Sequence, residues 1–180
     1  MQTELDVLRD VCVRLEGAGI EYMLTGSLAM NYYATPRMTR DVDLVVAAES
    51  TDAGRLAALF EPDYYVPEEE LARTIRERGM FNLLHIESSV KVDIVIRKDD
   101  PFRRGEFARR ARVTLSGVDA WIVGKEDLIL SKLVWARDAE SELQRRDVRN
   151  LLSSGADIAH LRAWAPRLGV ADLLERLLHE

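Results

Sequence analysis

Apolar positions recur along the chain in two different periods. Leu5, Leu8, Cys12 and Leu15 fall at helical spacing, which predicts an amphipathic helix over residues 3–16, ended by Gly17 and Gly19. Ile20 to Leu24 reads as a short buried strand. Gly26-Ser27 reads as a turn, and Leu28 to Tyr33 as a short helix that Pro36 breaks. Asp43 to Ala47 reads as a second strand with Leu44, Val45 and Val46 buried. Residues 52–60 and 68–78 read as helices, with Glu68, Glu69 and Glu70 in the first turn of the latter. "MFNLLHIESSVKVDIVI", residues 80–96, reads as two strands around a Glu-Ser-Ser turn. In the second of them Lys91, Asp93 and Val95 share one face, and Val92, Ile94 and Ile96 the other. A helix follows over 101–111, then "RVTL" and "AWIV" as strands around Gly117. From Lys125 only the helical period remains, over 125–139, 142–153, 156–166 and 170–179.

The strand-bearing pattern stops near Val123. The expected organisation is an α/β (α+β) core over 1–123 and a C-terminal helical subdomain over 124–180, with no internal repeat and no linker. Apolar residues make up 47% of the 180, enough for a sizeable core. The net charge of −6 argues against a general nucleic-acid coat protein. Cys12 is the only cysteine, so neither an intrachain disulfide nor a cysteine-based zinc site can form, which fits a reducing cytoplasm. Acidic residues follow Met1 instead of a basic and then apolar segment, and no stretch approaches the roughly 20 apolar residues of a membrane span.

Three features carry chemistry. Gly26 lets backbone approach a ligand closely, and Ser27 at a helix N-terminus meets free N–H groups that favour an anion such as phosphate. Plain helix capping gives the same pattern. Asp41 and Asp43 stand at i and i+2 on one strand face, so their carboxylates lie side by side and call for a cation. Arg37 and Arg40 stand near enough to supply it, and magnesium held by few carboxylates, water and phosphate oxygens is the other candidate. Asp93 interrupts the apolar alternation of "VKVDIVI". If its strand lies beside that of Asp41 and Asp43, three carboxylates converge, an arrangement that is costly without metal.

Gly-Ser, thirteen intervening residues, Asp-x-Asp and a later aspartate in an apolar strand together resemble the nucleotidyltransferase-fold superfamily. "PRMTRDVDLVV" and "MFNLLHIESSVKVDIVI" resemble its minimal and AbiEii-like bacterial branch, some members of which are toxins of toxin–antitoxin pairs. "KLVWARD" (Lys132–Asp138) and "QRRDVRNLL" (Gln144–Leu152) resemble that branch's helical motifs, so the likeness spans residues 20–152. It implies a nucleotidyltransferase-like mixed β-sheet flanked by helices. It implies a magnesium- or manganese-dependent transfer of a nucleoside monophosphate from a nucleoside triphosphate to an acceptor, which could be transfer RNA, a protein or a small molecule. A cognate antitoxin is the partner it suggests. Carried onto this chain, Asp41, Asp43 and Asp93 are the catalytic and metal residues. Gly26, Ser27, Arg37, Lys91 and Lys132 are the nucleotide-binding ones, with Lys132 reaching the triphosphate from the helical part across a cleft.

Each of these residues has a plainer role to be weighed against that one. Lys91 either touches phosphate or offsets the acidic cluster, and Arg37 either binds triphosphate or neutralises Asp41. Asp147 with Arg146 would pin helix to helix, and His85 would be a packed, hydrogen-bonded residue. Arg103, Arg104, Arg109, Arg110 and Arg112 would form a solvated helix face or hold RNA phosphates. Trp121, Trp135 and Trp164 lack the spacing of a stacking platform and would be core. A catalytically silent nucleotide- or partner-binding module is the competing reading. A metal-dependent glycosyltransferase would use Asp-x-Asp too, but leaves Gly26-Ser27 and Asp93 unexplained.

Overall fold

The computed structural model describes residues 3–179, apart from the side chain of Glu68. Helix α1 (Glu4–Gly17) starts where Thr3 and Asp6 form a reciprocal capping box, and it buries Val7, Leu8, Val11, Cys12 and Leu15. Strand β1 (Tyr22–Leu24) and helix α2 (Gly26–Tyr33) follow, then β2 (Asp41–Val46). After a single 3-10 turn come α3 (Ala53–Phe60), β3 (Tyr64–Tyr65), α4 (Glu68–Arg76), β4 (Met80–His85) and β5 (Lys91–Ile96). The chain continues with α5 (Pro101–Ala108), β6 (Ala111–Leu115) and β7 (Val118–Ile122). Helices α6 (Lys125–Asp138), α7 (Glu142–Ser153), α8 (Ile158–Trp164) and α9 (Ala171–His179) close it.

The strands form one mixed sheet in the order β3-β4-β5-β2-β1-β7-β6. Strands β2 and β5 are parallel neighbours, as are β1 and β7, and the other pairs are antiparallel. Both β2 (DVDLVV) and β5 (KVDIVI) alternate half-buried and fully buried positions. Val42, Leu44, Val46, Val92, Ile94 and Ile96 thereby enter the core, while the alternate positions leave a polar row on the other face. Helices α1 and α4 pack on the sheet, and α2 packs on β2 and against α6 and α7. The buried apolar cluster takes in residues on both sides of position 123, among them Leu24, Met30, Leu128 and Leu133.

The α/β fold with its mixed sheet is the expected one, and the differences lie at element ends. Strand β2 begins at Asp41, two residues earlier than the expected Asp43, because pairing with Lys91 extends the ladder over Asp41. Strand β3 is too short to show an alternation, so it carried no signal in the sequence. Helix α5 stops at Ala108, because Ala111–Leu115 is drawn into pairing with β7.

Candidate active site

The polar row is set by strand register. Across β2 and β5, Asp41 lies opposite Lys91 and Asp43 opposite Asp93, all on the half-buried face. The Lys91 ammonium stands 3.0 Å from Oδ2 of Asp93 and 3.8 Å from Oδ2 of Asp41. Asp93 is only 14% exposed, and its other oxygen, Oδ1, is buried with no hydrogen-bond partner. Burial, then the charge of Asp93 opposite and that of Asp41, pushes the Asp43 carboxyl above its ordinary pKa, against the Ser27 amide and Lys132. The hydrogen bond to Asp93 and the three carboxylates together hold the Lys91 ammonium above its ordinary value.

Gly26 explains how the first turn of α2 reaches these carboxylates. Its φ is +64°, and a Cβ built there would stand 2.0 Å from Oδ2 of Asp43. Only glycine permits both the left-handed backbone and the close approach. The Thr25 amide donates to the Asp43 carbonyl at 2.9 Å, which fastens the turn to β2. Thr25, not Ser27, occupies the cap position, and its side chain makes no capping bond. The Ser27 hydroxyl is engaged elsewhere: Nη2 of Arg37 donates to it at 2.7 Å.

Arg37 does not neutralise Asp41. Its partner is Asp147 on α7, bound through Nε and Nη2 at 3.0 Å each. Reciprocal bonds between the Asn31 side chain and the Arg37 backbone fix the arginine's stem. Lys132 is neither exposed nor reaching across open space. Its side chain is 3% exposed, and the ammonium donates to Oδ2 of Asp147 at 2.8 Å and to Oε1 of Gln144 at 3.0 Å. Burial works against ionised Asp147, yet the hydrogen bonds and charges of Arg37 and Lys132 outweigh it and hold its carboxyl below the usual range. Asp147 does pin elements together, but through Arg37 and Lys132 and not Arg146. Asn150, one turn on, exchanges hydrogen bonds with the Thr35 backbone, so α7 grips the loop between α2 and β2 twice. The sequence signal was the Arg-Asp of "QRRDVRNLL", but the Arg37 that its aspartate binds lies 110 residues upstream.

The remaining candidates are structural. His85 is buried, bonded to Ser88 at 2.8 Å and packed edge-on against Tyr64. The arginine run is not one solvated face: Arg103 pairs with Glu106, Arg109 with Asp127, Arg110 with Glu21 and Arg112 with Glu16, although Arg104, Arg109 and Arg112 remain exposed. Trp121 and Trp164 pack partly buried against the core, whereas Trp135 is 53% exposed and is not core.

No protein-family model matches the chain, and no curated protein does. Solved structures do. The antibiotic-resistance factor ANT(2'')-Ia, in its solution structure, is 15% identical with a TM-score of 0.65, over 98% of each chain. An antigenic nucleotidyltransferase-like protein from Paracoccidioides brasiliensis is 18% identical with a TM-score of 0.56, over 93% of this chain and 91% of its own. The lincosamide antibiotic adenylyltransferase LnuA, with lincomycin bound, is 14% identical with a TM-score of 0.55, over 84% of this chain and 98% of its own. The chain has the nucleotidyltransferase fold. Across so much of each chain, the likeness takes in the sheet and the helices after it.

This fold implies a divalent metal, and the donor set suits one. Carboxylate oxygens are the hard ligands that magnesium takes. Asp93 offers a buried oxygen without a partner, and Gly26 leaves the Asp43 carboxylate the room a side chain would fill. The carboxylates share a face in register, but among the described residues no three ligating groups are drawn together as a ready cage. Lys91 stands between Asp41 and Asp93 instead.

Proposed function

We propose that this chain is a magnesium-dependent nucleotidyltransferase that moves a nucleoside monophosphate from a nucleoside triphosphate to a hydroxyl of a small-molecule acceptor. The observation that carries the reading is Asp43, opposite Asp93 and bonded by the Ser27 amide of the glycine-serine turn. Asp41, Asp43 and Asp93 would hold the metal, which when bound stabilises the charge on attacking and leaving oxygens. Ser27 and the amides of its turn, with Arg37, would receive the triphosphate, and the buried Lys132 would add its charge through Asp147. These two cations share the single carboxylate of Asp147, so one positive charge is left over for phosphate. Asp93 would take the proton of the acceptor hydroxyl as the new O–P bond forms and the bond to pyrophosphate breaks.

The sheet edge beyond Asp93 supports a small acceptor. Asn82 lies opposite Asp93, Leu84 opposite Lys91 and Tyr65 opposite Leu84. Tyr65, Met80 and Leu84 are exposed there, and Lys91 is the only cation in these rows. Such a ledge suits an apolar surface better than an RNA backbone, which needs several cations. LnuA, of like fold, is a lincosamide antibiotic adenylyltransferase solved with lincomycin bound, which gives a small-molecule acceptor a precedent on this fold. Kinship with the AbiEii-like branch, an antitoxin partner and a cytoplasmic setting rest on the sequence alone. No helix among the described residues is long and apolar enough to cross a membrane.

One observation favours a second reading. Lys91 already pairs with Asp41 and Asp93, as it would in a silent module that binds nucleotide without metal. Thermal melts separate the two. Magnesium with a nucleoside triphosphate should raise the melting temperature by mass action, and Asp43→Asn should abolish most of that rise. Incubation with labelled nucleotides and a lysate should then label an acceptor. An unchanged rise in Asp43→Asn places the nucleotide elsewhere, and a rise independent of metal supports the silent module.

A further inference from the structure

Lys91 occupies a position that simple surface pairing does not explain. It sits between two strands, opposite Asp41 and two residues from Asp93, and its ammonium spans the gap between their carboxylates. A divalent ion taking those same two oxygens would meet a positive charge at contact distance. The side chain is 41% exposed, so the four-carbon stem has solvent to swing into.

Resting on the reading of Asp41, Asp43 and Asp93 as ion ligands, we propose that Lys91 is a resident counter-ion that makes divalent-ion entry conditional on nucleotide. With all four groups ionised, the three carboxylates and Lys91 sum to −2. A lone divalent ion must displace the ammonium from its bridge into solvent. A triphosphate changes this balance, since its oxygens coordinate the ion and give the released ammonium a new partner. Ion and nucleotide then bind cooperatively, and by linkage each tightens the other by the same factor. Between turnovers the same bridge limits the repulsion among the carboxylates.

Manganese is the probe, its free aquo signal followed by electron paramagnetic resonance with the full chain, alone and with a nucleoside triphosphate analogue whose α,β bridge cannot be cleaved. Wild type should bind manganese at least tenfold more tightly with the analogue than without. Lys91→Met should bind manganese alone at least tenfold more tightly than wild type, with the cooperative factor reduced to match. Lys91→Gln serves if Lys91→Met loses its cooperative melt. Manganese affinity unchanged within twofold, or weakened, in the variant overturns the proposal. Asp43→Asn tells this failure from that of the site reading. If wild type with analogue binds manganese no better than Asp43→Asn, the ion site itself is wrong and the proposal falls with it. If binding depends on Asp43 but Lys91→Met changes nothing, only the counter-ion role is lost.

Discussion

Asp43 of β2 lies directly opposite Asp93 of β5, in register on neighbouring parallel strands and on the half-buried face of the sheet. Two carboxylates so placed repel each other, and nothing in the packing requires an acid at either position. Alternate residues of the same strands supply the apolar core without them. The arrangement costs folding stability and becomes favourable when a cation joins it.

The first prediction concerns Asp43 titration. Burial comes first among the causes that raise its pKa, followed by the charge of Asp93. The folded state therefore binds this proton more readily than the unfolded chain does. Asp43 thus adds stability as pH falls through its folded pKa, and that contribution is lost as pH rises through it. Ion binding needs the charged form and runs the other way, weakening as pH falls through the same pKa. Carboxyl-carbon NMR of the ligand-free protein should show a midpoint above the ordinary aspartate value of 3.8. Asp93→Asn should lower that midpoint. The same midpoint in both proteins would mean that Asp43 does not feel the charge opposite.

The second prediction is that Gly26→Ala separates folding from nucleotide binding. A left-handed backbone costs an L-residue about 1–2 kcal/mol. The new Cβ would also stand 2.0 Å from the Asp43 carboxylate, which must move. A modest fall in melting temperature should accompany loss of most of the rise given by magnesium and nucleoside triphosphate together. Paired melts with and without ligand check this. A full ligand-induced rise in Gly26→Ala would remove the turn from the site.

Much of this site was legible in the sequence because it is local. Asp41 and Asp43 are two residues apart on one strand, and Gly26-Ser27 marks its own turn. The pairing of β2 with β5 was a conditional step, which the register completes. What escaped was long-range partnership. Arg37 has Asp41 nearby in sequence, yet its partner is Asp147, brought in by the packing of α7 on α2. Lys132 was expected to reach the triphosphate across a cleft, because nothing near it in α6 names Asp147 as its partner. In fact α6 is covered on several sides, so a lysine there is buried and must find a carboxylate. The arginine run misled for a related reason: five nearby cations suggested one face, but each of four reaches a different acid.

The last prediction tests whether Asp147 ties the helical part to the nucleotide turn. Its side chain is 2% exposed and compensates Lys132, itself 3% exposed, while also accepting two bonds from Arg37. Removing the carboxylate alone leaves a buried ammonium with Gln144 as its hydrogen-bond partner and no counter-charge. Asp147→Ala should therefore cost about 3–5 kcal/mol of folding free energy, the usual penalty for breaking a buried pair from one side. Lys132→Met should cost less, because Arg37 still compensates the carboxylate. Replacing both partners with apolar residues, as Lys132→Met with Asp147→Leu, should recover much of the loss. Urea unfolding of the wild type, the two single variants Lys132→Met and Asp147→Leu, and the double variant forms a cycle whose coupling isolates the pair. A double variant whose loss equals the sum of the single losses would show that the two groups act independently. The double variant should regain stability without regaining nucleotide binding, because Arg37 then has no carboxylate holding it at Ser27 and Lys132 has lost its charge. Recovery of both would make Asp147 a packing residue and nothing more.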